Sequence, residues 1–327
     1  MTIPPIPVNE SIVLKQFGSW PETKHVFDEP SAMAVRMALA VQRPLLVRGD
    51  PGTGKSQLAR AAAQVLGKAF ISEVVNASTE PQDLQWRFDA VGRLGEAQAF
   101  GARGGVKPVK RRDSLDPRRF LSPGPLWWAF DWDSASACYA SSCHKLAKPI
   151  APEGWSPRNG CVLLIDEIDK ADSDVPNSLL ETLGNGRFSV PWLRDTVVGP
   201  SEGVDPPLVI FTTNEEKELP AAFQRRCLVL HYEDMEDSKF VTWLIERGKL
   251  HFPELDEKVL GDAARMLIVD RASARSARAT PPGQAEYLDV LKALSVLEST
   301  KEGQKKSLMD LAKFAFKKHR RTGYGDA

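Results

Sequence analysis

Short apolar runs recur through the first 231 residues, each bounded by turn-forming residues. Leu45-Leu46-Val47, Phe70–Val75, Cys161–Ile165, Leu208–Phe211 and Cys227–His231 predict strands. The unbroken run Cys161-Val162-Leu163-Leu164-Ile165 suits a central strand of a parallel sheet, covered on both faces. Between the runs the period becomes helical. Ser31, an N-cap type, opens a helix through Met33, Val35, Met37 and Leu39 to about Gln42. From Ser56, the positions Leu58, Ala59, Ala62, Ala63, Val65 and Leu66 define a second helix, capped at Gly67. Leu84, Phe88, Val91 and Leu94 are spaced for one face of a helix over 80–100. Val175 to Leu183 predicts another, stopped by Gly184-Asn185-Gly186, and Phe188–Val190 and Thr196–Val198 are placed to pair as a hairpin. After about Met235 strand signals stop, and helical patterns follow at about 236–250, 256–269, 283–297 and 306–319.

These patterns predict an α/β fold, a central parallel sheet sandwiched by helices and followed by a small all-α domain. The expected division is an N-terminal arm at 1–30, Pro-rich and weakly patterned, a large α/β domain at 31–235, and a helical domain at 236–327. Two stretches read as irregular. Residues 101–119 hold Gly104-Gly105 and seven basic residues, and predict a mobile surface loop. Residues 133–160 are rich in Ser, Ala and Pro.

Composition narrows the class. The 327 residues carry 43 Lys+Arg against 43 Asp+Glu, a formal charge of zero that gives no whole-molecule attraction to nucleic acid or anionic membrane. No apolar run reaches the ~20 residues of a bilayer span. The N-terminus, MTIPPIPVNE, lacks a basic segment followed by an apolar one, so no signal peptide is expected. Four cysteines are too few for a disulfide scaffold, so a cytoplasmic protein with reduced thiols is the expectation.

Gly49-Asp50-Pro51-Gly52-Thr53-Gly54-Lys55-Ser56 fits G-x-x-x-x-G-K-[ST], between an apolar strand and a helix. Glycines let backbone N–H groups turn inward around phosphate oxygens, and the following helix, through Gln57, adds its positive N-terminal end. Lys55 is expected on the β- and γ-phosphates and the Ser56 hydroxyl on Mg²⁺. The expected fold is therefore that of a P-loop NTPase. Leu163-Leu164-Ile165-Asp166-Glu167 supplies the second half of the site, because ligands bind at the carboxyl ends of strands in open α/β sheets. Asp166 is expected to hold Mg²⁺ and Glu167 to orient and deprotonate the attacking water. Asn214, ending the next apolar strand, is placed to hold that water, although Thr-Asn after a strand is also a common turn former. Arg225-Arg226 reads either as a surface basic pair or as arginines reaching a neighbouring subunit's nucleotide.

In order, these motifs resemble those of the AAA+ ATPases, and more narrowly the MoxR-like family, over about 10–300. The segments between the two halves of the site carry the narrower likeness: Thr79-Glu80-Pro81-Gln82-Asp83-Leu84, Phe88-Asp89-Ala90-Val91 with Arg93-Leu94, and Pro123-Gly124-Pro125-Leu126 with Ala129-Phe130. Leu164 to Ala171, Asn177, Leu179-Leu180, Thr213-Asn214-Glu215, Leu219-Pro220 and Phe223-x-Arg225-Arg226-Cys227 complete it. The resemblance implies a ring, usually a hexamer, with ATP between subunits and an arginine finger acting in trans. Arg226 matches that position best, with Arg225 beside it. It implies that about 76–100 is an insertion projecting from the ring, that about 187–207 is the hairpin before the Asn214 strand, and that the helical domain is a lid. Such proteins are similar to chaperones that remodel or activate partners, often ones carrying a von Willebrand A domain or belonging to an effector system. The lid stretch Pro281 to Leu288 holds no arginine where a sensor is often found; Arg275 and Arg278 lie just upstream.

Weaker signals point elsewhere. Cys138, Cys143 and His144 have the loose spacing of a zinc pair, with no second pair nearby. Trp127, Trp128 and Trp132 read as core or subunit interface. The basic loop lacks an aromatic stacking series, which disfavours nucleic acid. Lys317-Lys318-His319-Arg320-Arg321 suits a helix C-terminus. A GTPase is disfavoured because no Asn is followed by Lys, and a small-molecule kinase because such kinases rarely pair an Asp-Glu strand with an Asn-terminated strand and a downstream arginine pair. The alternatives to a remodelling ATPase are an ATP-dependent assembly switch with little turnover and a GTP-using or nucleic-acid-linked ring.

Overall fold

The computed structural model describes residues 3–102, 114–193, 196–200, 203–232, 235–277 and 279–316. Five parallel strands form the central sheet: β3 (Leu45–Arg48), β4 (Ala69–Val74), β7 (Cys161–Asp166), β10 (Leu208–Thr213) and β11 (Leu228–His231), in the order β11-β3-β10-β7-β4. Alternate residues of the inner strands enter opposite cores, as the pleat requires. Leu45, Val47, Val162, Leu164, Leu208 and Ile210 face one core with α1 (Glu29–Val41) and α2 (Lys55–Val65). Leu46, Leu163, Ile165, Val209 and Phe211 face the other with α4 (Pro125–Phe130), α5 (Trp132–Ser141) and α6 (Asp174–Asn185). Strands buried on both faces need continuous apolar runs, and β7 is one. The parallel α/β sandwich expected from the sequence is thus the observed fold.

A third core belongs to the C-terminal helices α8 (Asp237–His251), α9 (Glu257–Ser276), α10 (Gln284–Leu297) and α11 (Lys301–Ala315). The last begins five residues before its expected start because Thr300 caps it, accepting from Gly303 N–H. No helix among the described residues is long and apolar enough to cross a membrane.

Four local expectations need correction. The weakly patterned stretch 1–30 carries strands that its pattern does not predict: β1 (Ser11–Leu14) and β2 (Thr23–Val26) form an antiparallel hairpin. Helix α1 is capped by Asp28, not Ser31; Ser31 sits at the third helical position and completes a reciprocal capping box. The helix over 80–100 is split. Residues Pro81–Leu84 form a 3₁₀ turn, β5 (Trp86–Phe88) pairs with β6 (Leu121–Pro123), and only α3 (Ala90–Ala102) is helical. The apparent apolar stripe divides accordingly: Leu84 is fully buried, whereas Val91 is 82% exposed. Asp89 makes the break, its backbone N–H donating to Phe120 O and its carboxylate accepting from Gly92 N–H. Finally, 133–160 is not wholly irregular, because Asp131 caps α5 by accepting from Ser134 N–H.

Trp127 and Trp128 are buried on α4, with Trp132 packed against them. Cys138 is buried and its thiol faces Leu121 O, while Cys143 is exposed. The loop residues 103–113, Arg278 and the basic tail lie outside the described residues.

A candidate nucleotide site at the carboxyl ends of the sheet

The glycine loop connects β3 to α2 at the carboxyl edge of the sheet, where the following helix aims its unpaired N–H groups. Glycine is required at position 49: its φ is +146°, and a Cβ there would sit 2.9 Å from Tyr232 Cβ and O. Lys55 is 6% exposed and its Nζ donates to the carbonyls of Gly49 (2.7 Å) and Asp50 (2.8 Å). Burial pushes its ammonium below the ordinary lysine range, against the pull of the Asp166, Asp50, Asp169 and Glu167 carboxylates.

The two halves of the motif meet directly. Ser56 Oγ donates across 2.9 Å to the Asp166 carboxylate, whose two oxygens are equidistant. Thr212 Oγ1 also donates to Asp166, and accepts from the Glu167 backbone N–H at 2.9 Å. Asn214 Nδ2 donates to Glu167 Oε1 at 3.2 Å, and Lys170 Nζ to Glu167 Oε2 at 2.8 Å. The pair with Glu167 raises the Lys170 pKa. Glu167 itself holds a left-handed conformation, φ +59°, that costs a non-glycine residue about 1–2 kcal/mol. Such conformations persist where surrounding contacts impose them.

A cavity of about 570 Å³ opens over these groups. Pro51, Gly52, Thr53, Gly54, Lys55, Ser56 and Gln57 line it on one side, with Asp166, Glu167, Thr212 and Asn214. Its far wall is His25, Val26 and Asp28, with Tyr232, Trp243, Arg247, His251 and Leu288. Gly49 and Asp50 line a smaller neighbouring cavity of about 210 Å³. Arg225 and Arg226, on the short helix α7 (Ala221–Arg226), are exposed and line neither cavity.

The C-terminal helices close one side. Ala285 N–H donates to Gly52 O at 3.1 Å. Arg247 Nη1 donates to Val26 O at 2.6 Å, and Lys24 Nζ to His251 O at 2.7 Å. His25 and His251 are both buried there; burial first, then the nearby cations, lowers their pKa values to about 3 and about 4. Of the arginines considered for the lid, Arg275 pairs with Asp237 at 3.9 Å. Arg271, not singled out in the sequence, reaches the loop instead: Nη2 lies 3.6 Å from Asp50 Oδ2, and Nη1 donates to Pro282 O. Thr212 and Lys170 were equally missed. Thr212 had a signal, being two residues before Asn214 and so on the same face of β10. Lys170 had one too, three residues after Glu167.

A phosphate-cradling loop, a hydroxyl on a strand-end aspartate and an adjacent glutamate–asparagine pair define a P-loop nucleotide-binding protein. The family model for the AAA domain (dynein-related subfamily) matches residues 44–227, and the chain belongs to that family. Membership carries nucleotide binding with a metal ion, and AAA+ proteins commonly form ring oligomers. Over 88 residues the chain is 35% identical to Midasin of Giardia intestinalis, covering 25% of this chain and only 2% of that relative's length. Two solved structures superpose more loosely. A candidate ATPase from Cytophaga hutchinsonii covers 87% of this chain and 81% of its own, at 14% identity and a TM-score of 0.37. A point mutant of RuvB from Thermotoga maritima covers 84% and 70%, at 15% identity and a TM-score of 0.38.

Proposed function

We propose that the chain is a cytoplasmic, MoxR-like AAA+ ATPase that hydrolyses ATP, assembles into a ring of about six subunits and remodels or activates a partner protein. The supporting observation is the convergence of Lys55, Ser56, Asp166, Glu167 and Asn214 on one cavity. In this reading 31–235 is the ATPase domain with 1–30 as its arm, and 236–327 is the lid. The projecting segment 76–100 contacts the partner, whose chemistry the resemblance suggests is a von Willebrand A domain or an effector component.

The donor set fits Mg²⁺. A hydroxyl and a carboxylate are hard oxygen ligands, already together at 2.9 Å beside the phosphate loop. Ser56 and Asp166 would hold the ion, which supplies charge neutralisation on the phosphate oxygens. The chain's own groups do the rest. Backbone N–H groups of Asp50 and of residues 52–55, with the Lys55 ammonium, hold the phosphates. Glu167 takes a proton from water as its oxygen bonds to the γ-phosphorus and the bond to the bridging oxygen breaks, leaving ADP and phosphate. Asn214, 3.2 Å from Glu167, holds that water in line. Arg226 of a neighbouring subunit, beside Arg225, meets the charge developing on the γ-phosphoryl group.

One observation favours a second reading. Asn214 and Lys170 occupy both Glu167 oxygens, which suits a nucleotide-driven assembly switch with slow turnover. Phosphate release by the wild type and by Glu167→Gln, alongside ATP binding to both, separates the two. The ATPase reading expects hydrolysis to fall at least ~100-fold with binding retained. Equal, near-background rates in both proteins favour the switch.

A further inference from the structure

Helix α7 is only six residues long and ends in the two arginines, so its final carbonyls have no helical partner. One side chain takes them. Arg43 Nε donates to Arg226 O at 3.1 Å, and Nη2 donates to Arg225 O and, at 3.3 Å, to Cys227 O. A cation at a helix C-terminus is favoured by the dipole, and a guanidinium presents its donors in a rigid planar fork that the flexible ammonium lacks. The Arg43 side chain is exposed, but its backbone is fixed. It follows the left-handed Gln42 that ends α1, its N–H donates to Ala38 O at 3.2 Å, and Pro44 then leads into β3. Beside it, Leu228 N–H donates to Pro44 O at 2.8 Å, so the residues flanking the fork are tied as well. Within α7, Gln224, just before the arginine pair, is held by Arg48, whose Nη1 donates to Gln224 Oε1 at 3.2 Å.

We infer that Arg43 is a positioning residue for the trans arginine: its fork on the backbone of residues 225–227 sets where Arg226 points toward the neighbouring subunit's nucleotide. The inference rests on the trans role proposed above for Arg226. Arg43 lines neither cavity, so its effect is exerted on the neighbour's site and not on its own. A displacement of about 1 Å at a catalytic group costs on the order of 100-fold, so Arg43→Ala lowers kcat 10- to 100-fold and leaves ATP affinity within about twofold. Arg43→Lys retains the charge without the fork and recovers only part of the rate.

The deciding experiment mixes subunits and reads ATP hydrolysis. Arg43→Ala subunits keep an intact nucleotide site; Glu167→Gln subunits cannot hydrolyse but keep an intact α7. The expected result is a rate in the mixture well above that of either protein alone, because the defect of one is supplied by the other across the interface. A parallel mixture of Arg226→Ala with Glu167→Gln is the reference. If the reference mixture recovers activity and the Arg43 mixture does not, Arg43 acts within its own subunit and the inference is overturned, while the trans arginine stands. If neither mixture recovers, the trans role of Arg226 falls and takes the inference with it.

Discussion

Arg247 joins two elements that wall the nucleotide cavity, β2 and α8. It is 6% exposed; Nη1 donates to Val26 O, Nη2 lies 3.7 Å from Asp28 Oδ2, and the guanidinium sits 5.0 Å from the Trp243 ring centre. Replacing it with Met keeps the stem and removes the donors. The Val26 carbonyl then loses a buried donor, costing about 1–3 kcal/mol. Loss of the cation over Trp243 adds about 0.5–2 kcal/mol. Asp28 is partly exposed and solvent screens its share, so that contact adds less than ~1 kcal/mol. Against these stands relief of the desolvation that pulls the Arg247 pKa below its ordinary value. The net expectation is a loss of about 2–3 kcal/mol for Arg247→Met and roughly half that for Arg247→Lys. Urea unfolding followed by tryptophan emission measures it, since Trp243 lies under the guanidinium. Calorimetric titration with ADP should show about tenfold weaker binding, because the cavity loses its clasp. An Arg247→Met protein within ~0.5 kcal/mol of wild type, binding ADP equally well, would refute the reasoning.

Other outcomes follow from the same geometry. Gly124→Ala should cost about 1–3 kcal/mol in urea unfolding, because its Cβ would lie 2.7 Å from the backbone carbonyls of Asp83 and Leu84, which no rotamer can relieve. His25 and His251 have folded pKa values below the unfolded 6.5, so the unfolded chain binds more protons between those values. Stability is therefore full above about pH 6.5 and falls as pH drops toward 4, by up to ~1.4 kcal/mol per pH unit for each histidine. A melting temperature that does not fall from pH 7 to pH 5, or an unchanged slope in His25→Phe, contradicts this. Of the four thiols, Cys138, Cys161 and Cys227 are buried with pKa values raised to about 11, 12 and 12. Ellman's reagent should thus label one thiol per chain rapidly, and Cys143→Ser should abolish that fast phase.

What the sequence disclosed depended on whether information was local. The strand, glycine loop and helix from Leu45 to Val65 were legible because a fully apolar strand, a fixed glycine spacing and an alanine-rich helix lie within about twenty residues. The hairpin of Phe188–Val190 with Thr196–Val198 was legible for the same reason. The pairing of β5 with β6 was not: each strand has three residues, too few for a period of two to register, and they pair across the intervening α3. The split of 80–100 escaped because Leu84, Phe88, Val91 and Leu94 mimic a helical stripe while belonging to a turn, a strand and a helix. In the site, residues inside motifs were found, whereas those that act from a distance were not. Arg247 reaches Val26 across 221 residues, and Arg43 reaches Arg226 across 183. Arginine at such positions looks like any solvated charge until the fold supplies its partner.

The proposed ring is tested most directly by the mass of Glu167→Gln in solution, measured by mass photometry with Mg-ATP and then with Mg-ADP. In the proposed mechanism that substitution removes the proton acceptor and leaves Lys55, Ser56 and Asp166 to bind nucleotide. A species of about six subunits is expected with ATP and is lost or reduced with ADP. A protein that binds ATP and remains a monomer at every concentration would contradict the ring and leave Arg226 without a neighbour to serve.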